Sequence, residues 1–296
     1  MSSDNAPAQP SPFALRADRD YLVTQQYRDA DNLNARMALH KRFGVNQHPW
    51  QRWVFELLLD ALTQTPPTEP DQSRRILEIG CGPARLWVEN ADRIPANWTI
   101  TLTDLSAGML VAAQRGVESA FFAEQAAAFS YIVADAQSLP FDGGIFDAVV
   151  ANHMLYHVPD RSCAIGEIRR VLRPGGSLIA ATNGETHLRE LDALSARFLP
   201  ETGDANRHFS EDFTLENGEA QLKTSFNSVE MRRHEGGLVV TEAEPIVAYI
   251  ASMVAVAPGN LLTDERLVAL RAYLEQEIAT HGAIHIMRDS GVFIAR

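Results

Sequence analysis

Apolar residues along this chain follow two rhythms, one helical and one that fits buried strands. Between Tyr21 and Phe43, residues Leu22, Val23, Tyr27, Leu33, Met37 and Leu39 recur at roughly helical spacing, with a break at Asp29 to Asn32. That pattern predicts short helices rather than one rod. Pro49 followed by WQRWVFELLLDAL predicts a helix with proline in its first turn. Its apolar face carries Trp50, Trp53, Val54, Leu57, Leu58 and Leu62. The run TPPTEPDQS then breaks the pattern and reads as a linker.

Beyond the linker, short apolar runs alternate with helical patterns. Strands are predicted at Arg75 to Ile79, Trp98 to Thr103, Ser130 to Val133, Phe146 to Ala151 and Ser177 to Thr182. AGMLVAAQRGV and AIGEIRRVL are helical, and VLRPGG is a helix stop, because Pro174 cannot continue the helix and the glycines turn the chain. Such alternation predicts an α/β fold with a parallel sheet and helices on both faces. From Gly184 to Phe226 the pattern loosens: HLRELDALSARFL is helical, RHFSED a loop and LENGEAQLKTSF another helix. The stretch is longer than an ordinary connection and suits a lid or substrate wall. SVEMRR and SGVFIAR return to the sheet, separated by the helical EPIVAYIASMVAVA and RLVALRAYLEQEI. The organisation expected is a tail over 1–14, a helical cap and linker over 15–73, a core over 74–183, a helical insertion over 184–226, and completion of the sheet over 227–296.

Composition adds limits to this picture. At 296 residues, with 46% hydrophobic and 22% charged, the chain has an ordinary globular balance and room for a real core. A net charge of −12 disfavours nucleic acid and anionic membrane as partners, since neutralising phosphates needs the opposite sign. The two cysteines, Cys81 and Cys163, suggest no disulfide framework. The apolar run from Ile246 falls short of the roughly 20 residues that span a bilayer, and MSSDNAPAQPSP has no signal-peptide core, so a cytoplasmic protein is expected.

The chemistry concentrates in RRILEIGCGPARLW, where a buried strand runs into Gly80-Cys81-Gly82 and Pro83 opens a helix. Glycines let the backbone turn sharply and approach a ligand closely. Glu78 stands at the strand end facing that turn. The next strand ends at Asp104, about twenty residues on, where a doubly wound fold places an acid on a ribose diol. The third strand ends at Asp135-Ala136, suited to the edge of an adenine. These residues imply an adenosine-containing cofactor. NAD meets the ribose logic too, but Glu78 repels a pyrophosphate at the turn, and Arg85 stands where the dinucleotide fingerprint has its third glycine. A ligand with an amino group and a sulfonium suits Glu78 better.

Together Glu78-Ile-Gly80-Cys-Gly82, LTDLSAGML, ADAQSLPF, FDAVVANHMLYHV and VLRPGG resemble the class I S-adenosylmethionine-dependent methyltransferases, in particular their type 11 small-molecule group, over about Arg74 to Thr182. The resemblance implies a Rossmann-like, doubly wound sheet of about seven strands with an antiparallel last strand, plus N-terminal helices and a helical insertion. It implies S-adenosyl-L-methionine as cofactor and transfer of its methyl group to an oxygen, nitrogen or carbon of a small-molecule acceptor. Glu78 serves the methionine amino group, Gly80, Cys81 and Gly82 underlie the cofactor, and Asp104 holds the ribose. Leu105 and Met109 pack near the adenine, Asp135 and Ala136 bind its edge, and Asn152 and His153 line the methionine side. Ala84 stands where the family has a third glycine, which implies a slightly tighter turn. The readings that compete are an NAD-linked oxidoreductase, a non-catalytic cofactor-binding module, and another reaction on the same cofactor.

Methyl transfer asks the protein to position a nucleophile, exclude water and, where needed, remove a proton. The base candidates are His153 after the fourth strand and His187 after the fifth, because an unperturbed imidazole titrates near 6.5. His157 is read as packing its turn. With His153 it makes an HxxxH pair, but no carboxylate or cysteine completes a metal set. Tyr27 or Arg36 is placed on the methionine carboxylate, with a packed or solvated surface role as the competing reading. Trp50, Trp53 and Phe55 are read as core rather than as an aromatic wall.

Overall fold

The computed structural model describes residues 31–65, 73–199, 212–254 and 263–296, with the side chains of 31–36 and 253–254 outside that description. The predicted apolar runs become strands β1 (Arg74–Ile79), β2 (Trp98–Asp104), β3 (Phe129–Val133), β4 (Phe146–Asn152) and β5 (Leu172–Asn183). Four more follow: β6 (Val229–His234), β7 (Gly237–Val240), β8 (Ile284–Met287) and β9 (Ser290–Ala295). Seven strands form one sheet in the order β3-β2-β1-β4-β5-β9-β6. β1 to β5 pair in parallel, and β9 runs antiparallel between β5 and β6. The order reverses between β1 and β4, which opens a crevice at their carboxyl ends.

The helices are α1 (Asp31–Phe43), α2 (Trp50–Thr63), α3 (Arg85–Val88), α4 (Ala107–Ala120) and α5 (Ala123–Ala126). They continue as α6 (Arg161–Val171), α7 (Arg189–Phe198), α8 (Gly218–Leu222), α9 (Ala243–Val254) and α10 (Asp264–His281). Successive residues of β1 enter opposite layers, as a sheet buried on both faces requires. Ile76 packs with Phe55, Leu58, Trp87 and Val117 on one face, while Leu77 packs with Ile165, Ile168, Phe213 and Phe293 on the other.

Three local differences from the sequence expectation have physical reasons. Helix α6 stops at Val171 as expected, but Arg173-Pro-Gly-Gly is the start of β5, with an irregular register opposite Phe146 and Ala148 that tolerates the missing proline N–H. Pro83 does not open a helix: Ala84 is left-handed at φ 57, and the single turn of α3 begins at Arg85. Segment 227–296, expected to complete the sheet, does so with β6 and β9 at its two ends. Between them lie the antiparallel β7–β8 hairpin, α9 and α10. These elements pack with α1 and α7 through Leu39, Leu191, Leu238, Ile246, Leu274 and Ile286, forming a cap with its own core. The TPPTEPDQS linker and the RHFSED loop lie largely outside the described residues. Among the described residues no helix is long and apolar enough to cross a membrane.

At the amino ends of the central strands, a buried carboxylate is paired with two arginines. Asp147 accepts from Arg74 and Arg173 at 2.9 Å each and from the Arg75 backbone N–H at 2.8 Å. Arg74 also donates to the Leu62 carbonyl at 2.9 Å, tying the end of α2 to the sheet.

Candidate active site

At the carboxyl ends of β1, β2, β4 and β5, roofed by α1, α2, α7 and α9, lies a cavity of about 470 Å³. That size is within the range of small-molecule sites. It begins where β1 ends. Gly80 and Gly82 turn the chain at φ 60 and 52, and a Cβ at Gly80 would come 2.8 Å from the Cβ of Met154. Ala84, His153 and Leu188, the non-glycine residues of positive φ among the described residues, all line or adjoin the cavity. Such strained positions gather at functional sites. Ala84, the missing third glycine, therefore occupies the conformation glycine favours, at a cost of about 1–2 kcal/mol.

Asp104 organises the turn. One carboxylate oxygen accepts the Gly82 N–H at 2.9 Å and the other accepts the Ser106 N–H at 2.8 Å, so it joins the glycine turn to the start of α4. Burial raises its proton affinity, and these backbone N–H groups act against that shift. Glu78 is 2% exposed and accepts the indole N–H of Trp87 at 2.6 Å. Burial pushes its pKa up to about 8, against the Trp87 hydrogen bond and with a smaller push from Asp104. The carboxyl is therefore mostly protonated at neutral pH until a cation reaches it. Cys81 is buried, and its thiol is pushed well up by burial and then by the two acids, which makes it a packing group rather than a nucleophile.

Leu105, Met109, Asp135 and Ala136 line the cavity beyond Asp104, and Asp135 accepts the backbone N–H of Gln137 at 3.0 Å. Asn152 also lines it, but its side chain is engaged by α2. It accepts the Trp50 indole N–H at 3.2 Å and donates to Gln51 at 3.2 Å. Trp50, expected in the core, forms cavity wall instead, 4.9 Å ring to ring from His153; Phe55 of the same helix is fully buried in the core.

The histidines differ from an imidazole in water. Burial, then the charge of Arg288, lowers His153 to about 3 and His40 to about 4; burial, then neighbouring His40, His153 and Arg288, lowers His187 well below its usual value. His187 stacks on His40 at 6.2 Å and accepts the Asp289 backbone N–H on Nδ1 at 3.2 Å, so its own ring proton sits on Nε2. His187 is thus set as a donor, and the expectation of an imidazole titrating near 6.5 is corrected for both base candidates. Among the described residues no group of three or more His, Cys, Asp or Glu side chains could hold a metal ion.

Every predicted site residue with a described side chain lines this one cavity. Tyr27 lies outside the described residues, and Arg36 lies on α1 with its side chain outside them. Sequence reasoning missed Gln51, Leu191, Ser195, Tyr249 and Arg288, which line the cavity from the cap side. None of them carried a local signal, since only the folded chain brings them to the cavity.

The family described as methyltransferase domain matches residues 77–180 of this chain. A malonyl-acyl-carrier-protein O-methyltransferase of Erwinia billingiae is 33% identical over 209 residues, 66% of this chain and 75% of that protein. The ubiquinone/menaquinone biosynthesis C-methyltransferase UbiE of Pectobacterium carotovorum is 26% identical over 244 residues, 76% of this chain and 90% of that protein. Among solved structures, phosphoethanolamine N-methyltransferase 2 of Haemonchus contortus, in complex with S-adenosyl-L-methionine, shares the fold. Its TM-score is 0.53 at 20% identity, over 94% of this chain and 59% of that one, so this chain spans about three-fifths of its length.

Proposed function

Because this chain belongs to the class I S-adenosylmethionine-dependent methyltransferases that act on small molecules, we propose that its cavity divides into a cofactor half beside β1 to β4 and an acceptor half beneath the cap. The residues of the first half fit the cofactor. A buried carboxyl with raised proton affinity, Glu78, suits an ammonium, and Asp104 has lone pairs left for a diol after its two backbone bonds. At Gly80 the close approach of Met154 leaves no space for a side chain. When bound, the cofactor supplies a methyl group already activated on a sulfonium.

The chain's own work is then orientation and exclusion of water. Glu78 takes the amino group, Asp104 the ribose, and Leu105, Met109, Asp135 and Ala136 the adenine. Trp50, Leu188, Leu191 and Tyr249 give the acceptor half apolar walls. His153 is the better base candidate, because His187 presents a ring proton rather than a lone pair. With both neutral and of low proton affinity, the arrangement favours an acceptor whose nucleophilic atom is ionised or only weakly holds its proton.

The observation that carries this reading is the meeting of Glu78, Gly80 and Asp104 at one cavity wall. Equilibrium dialysis with labelled S-adenosylmethionine tests it: Asp104→Ala should weaken binding by about 2–4 kcal/mol through loss of charge-assisted hydrogen bonds. Equal retention by a folded variant removes the ribose assignment.

A further inference from the structure

Arg288 is a cation of the cavity to which the reading above gives no role. It stands in the short reversal between β8, a cap strand, and β9, a sheet strand, and it lines the cavity at the junction of the two. Among the described residues no carboxylate lies within ion-pair distance of it. Its neighbour Asp289 is taken by Arg233 and by the Thr186 hydroxyl. The other acids lining the cavity are Glu78, Asp104, Asp135 and Asp192, and none pairs with it.

The guanidinium is nevertheless held. It donates to Nδ1 of His234, whose Nε2 lies 3.0 Å from the His48 carbonyl oxygen. That carbonyl can only accept, so the His234 ring proton is on Nε2 and Nδ1 is left free to receive the guanidinium. His234 is 4% exposed, which fixes this orientation from behind. The guanidinium carbon stands 6.0 Å from the centroid of the Trp50 ring, on the wall it shares with His153. Around it are His40, His153, His187 and His234, neutral rings that do not offset its charge.

A partly desolvated cation without an anion is costly, and it is tolerated where a ligand supplies the counter-charge. Arginine offers five donors in a planar fork, of which one serves His234, so a bidentate carboxylate can still be seated. The other arginine lining the cavity, Arg85, is paired with Glu89 at 3.2 Å. One unmatched cation fits one negative charge, and the apolar residues Trp50, Leu191 and Tyr249 beside it fit a carbon skeleton. We propose that Arg288, oriented by His234, seats a carboxylate of the methyl acceptor, so that this enzyme selects organic acids. The proposal rests on the methyltransferase reading above.

The test uses the full chain saturated with S-adenosylhomocysteine and titrated with benzoate, with benzamide as its neutral counterpart, followed by tryptophan fluorescence and calorimetry. Benzoate should bind at least about tenfold more tightly than benzamide. Arg288→Gln should remove that preference while keeping S-adenosylhomocysteine affinity, which also reports that the variant is folded. Arg288→Lys, which keeps the charge and loses the fork, should fall between them. Equal binding of the two probes, no benzoate binding to the wild type, or unchanged benzoate binding in Arg288→Gln overturns the proposal. It is also overturned if Arg288→Gln weakens S-adenosylhomocysteine but not 5′-methylthioadenosine, for the arginine then grips the cofactor's own carboxylate. Failure of the wild type to bind S-adenosylhomocysteine would instead strike the underlying cofactor assignment.

Discussion

The two ends of the central strands treat charge in opposite ways. At the amino ends, Asp147 is surrounded by Arg74, Arg173 and a backbone N–H, so this buried cluster of charges is paired within the chain. At the carboxyl ends, Glu78 has been driven towards its neutral form, four histidines are held neutral, and Arg288 meets no acid among the described residues. Both ends are largely removed from water, so burial alone does not separate them. What separates them, on the reading proposed above, is who supplies the compensating charge: the chain itself at one end, a ligand at the other. Structural and functional charges can thus be told apart by whether their partner is already present.

The largest effect expected from breaking this contrast is at the closed end. Asp147→Asn leaves Arg74 and Arg173 buried against a neutral amide and should cost about 3–5 kcal/mol of stability in urea unfolding, with cofactor affinity unchanged. A comparable loss of cofactor affinity would mean that the two ends are coupled. Asp104→Ala should do the reverse, acting chiefly on binding.

Acidification sharpens the comparison further. His40 at about 4 and His153 at about 3 lie below an ordinary imidazole, so the stability they confer is fully present above about pH 6.5 and is lost as pH falls towards those values. Thermal unfolding should fall across that window in the wild type and less steeply in His40→Phe. Equal slopes would show that His40 is not buried as a neutral ring. The smallest effect belongs to Ala84→Gly, which relieves a left-handed alanine but gives up a buried methyl and gains unfolded-chain entropy. It should change stability by less than about 1 kcal/mol and leave binding intact.

The glycine turn, the acids at strand ends and the first five strands were legible because each is encoded locally: apolar runs of strand length, and carboxylates a few residues from glycines. The antiparallel last strand was legible through the family resemblance rather than through periodicity. The β7–β8 hairpin was not legible, since Gly237–Val240 is four residues long and its partner Ile284–Met287 follows two helices. The role of Arg288 was hidden for the same reason, because only the folded hairpin carries it to the cavity. Spacing could place Glu78 beside the glycine turn but could not show the Trp87 indole behind it, nor the burial that lifts its pKa. Trp50 shared an apolar stripe with Phe55, and no periodicity tells a residue facing the core from one facing a cavity.

The central claim is that the open end is tuned for a cationic, adenosine-bearing ligand. It is tested most directly by titrating S-adenosylhomocysteine calorimetrically at pH 7 in two buffers of different ionisation enthalpy. With its pKa near 8, Glu78 is mostly protonated in the free chain, and an arriving ammonium lowers that pKa, so binding should release close to one proton. In Glu78→Gln the buffer dependence should vanish, and NAD should give no binding heat with either protein. Binding heats identical in the two buffers for the wild type, or binding of NAD, would contradict the account.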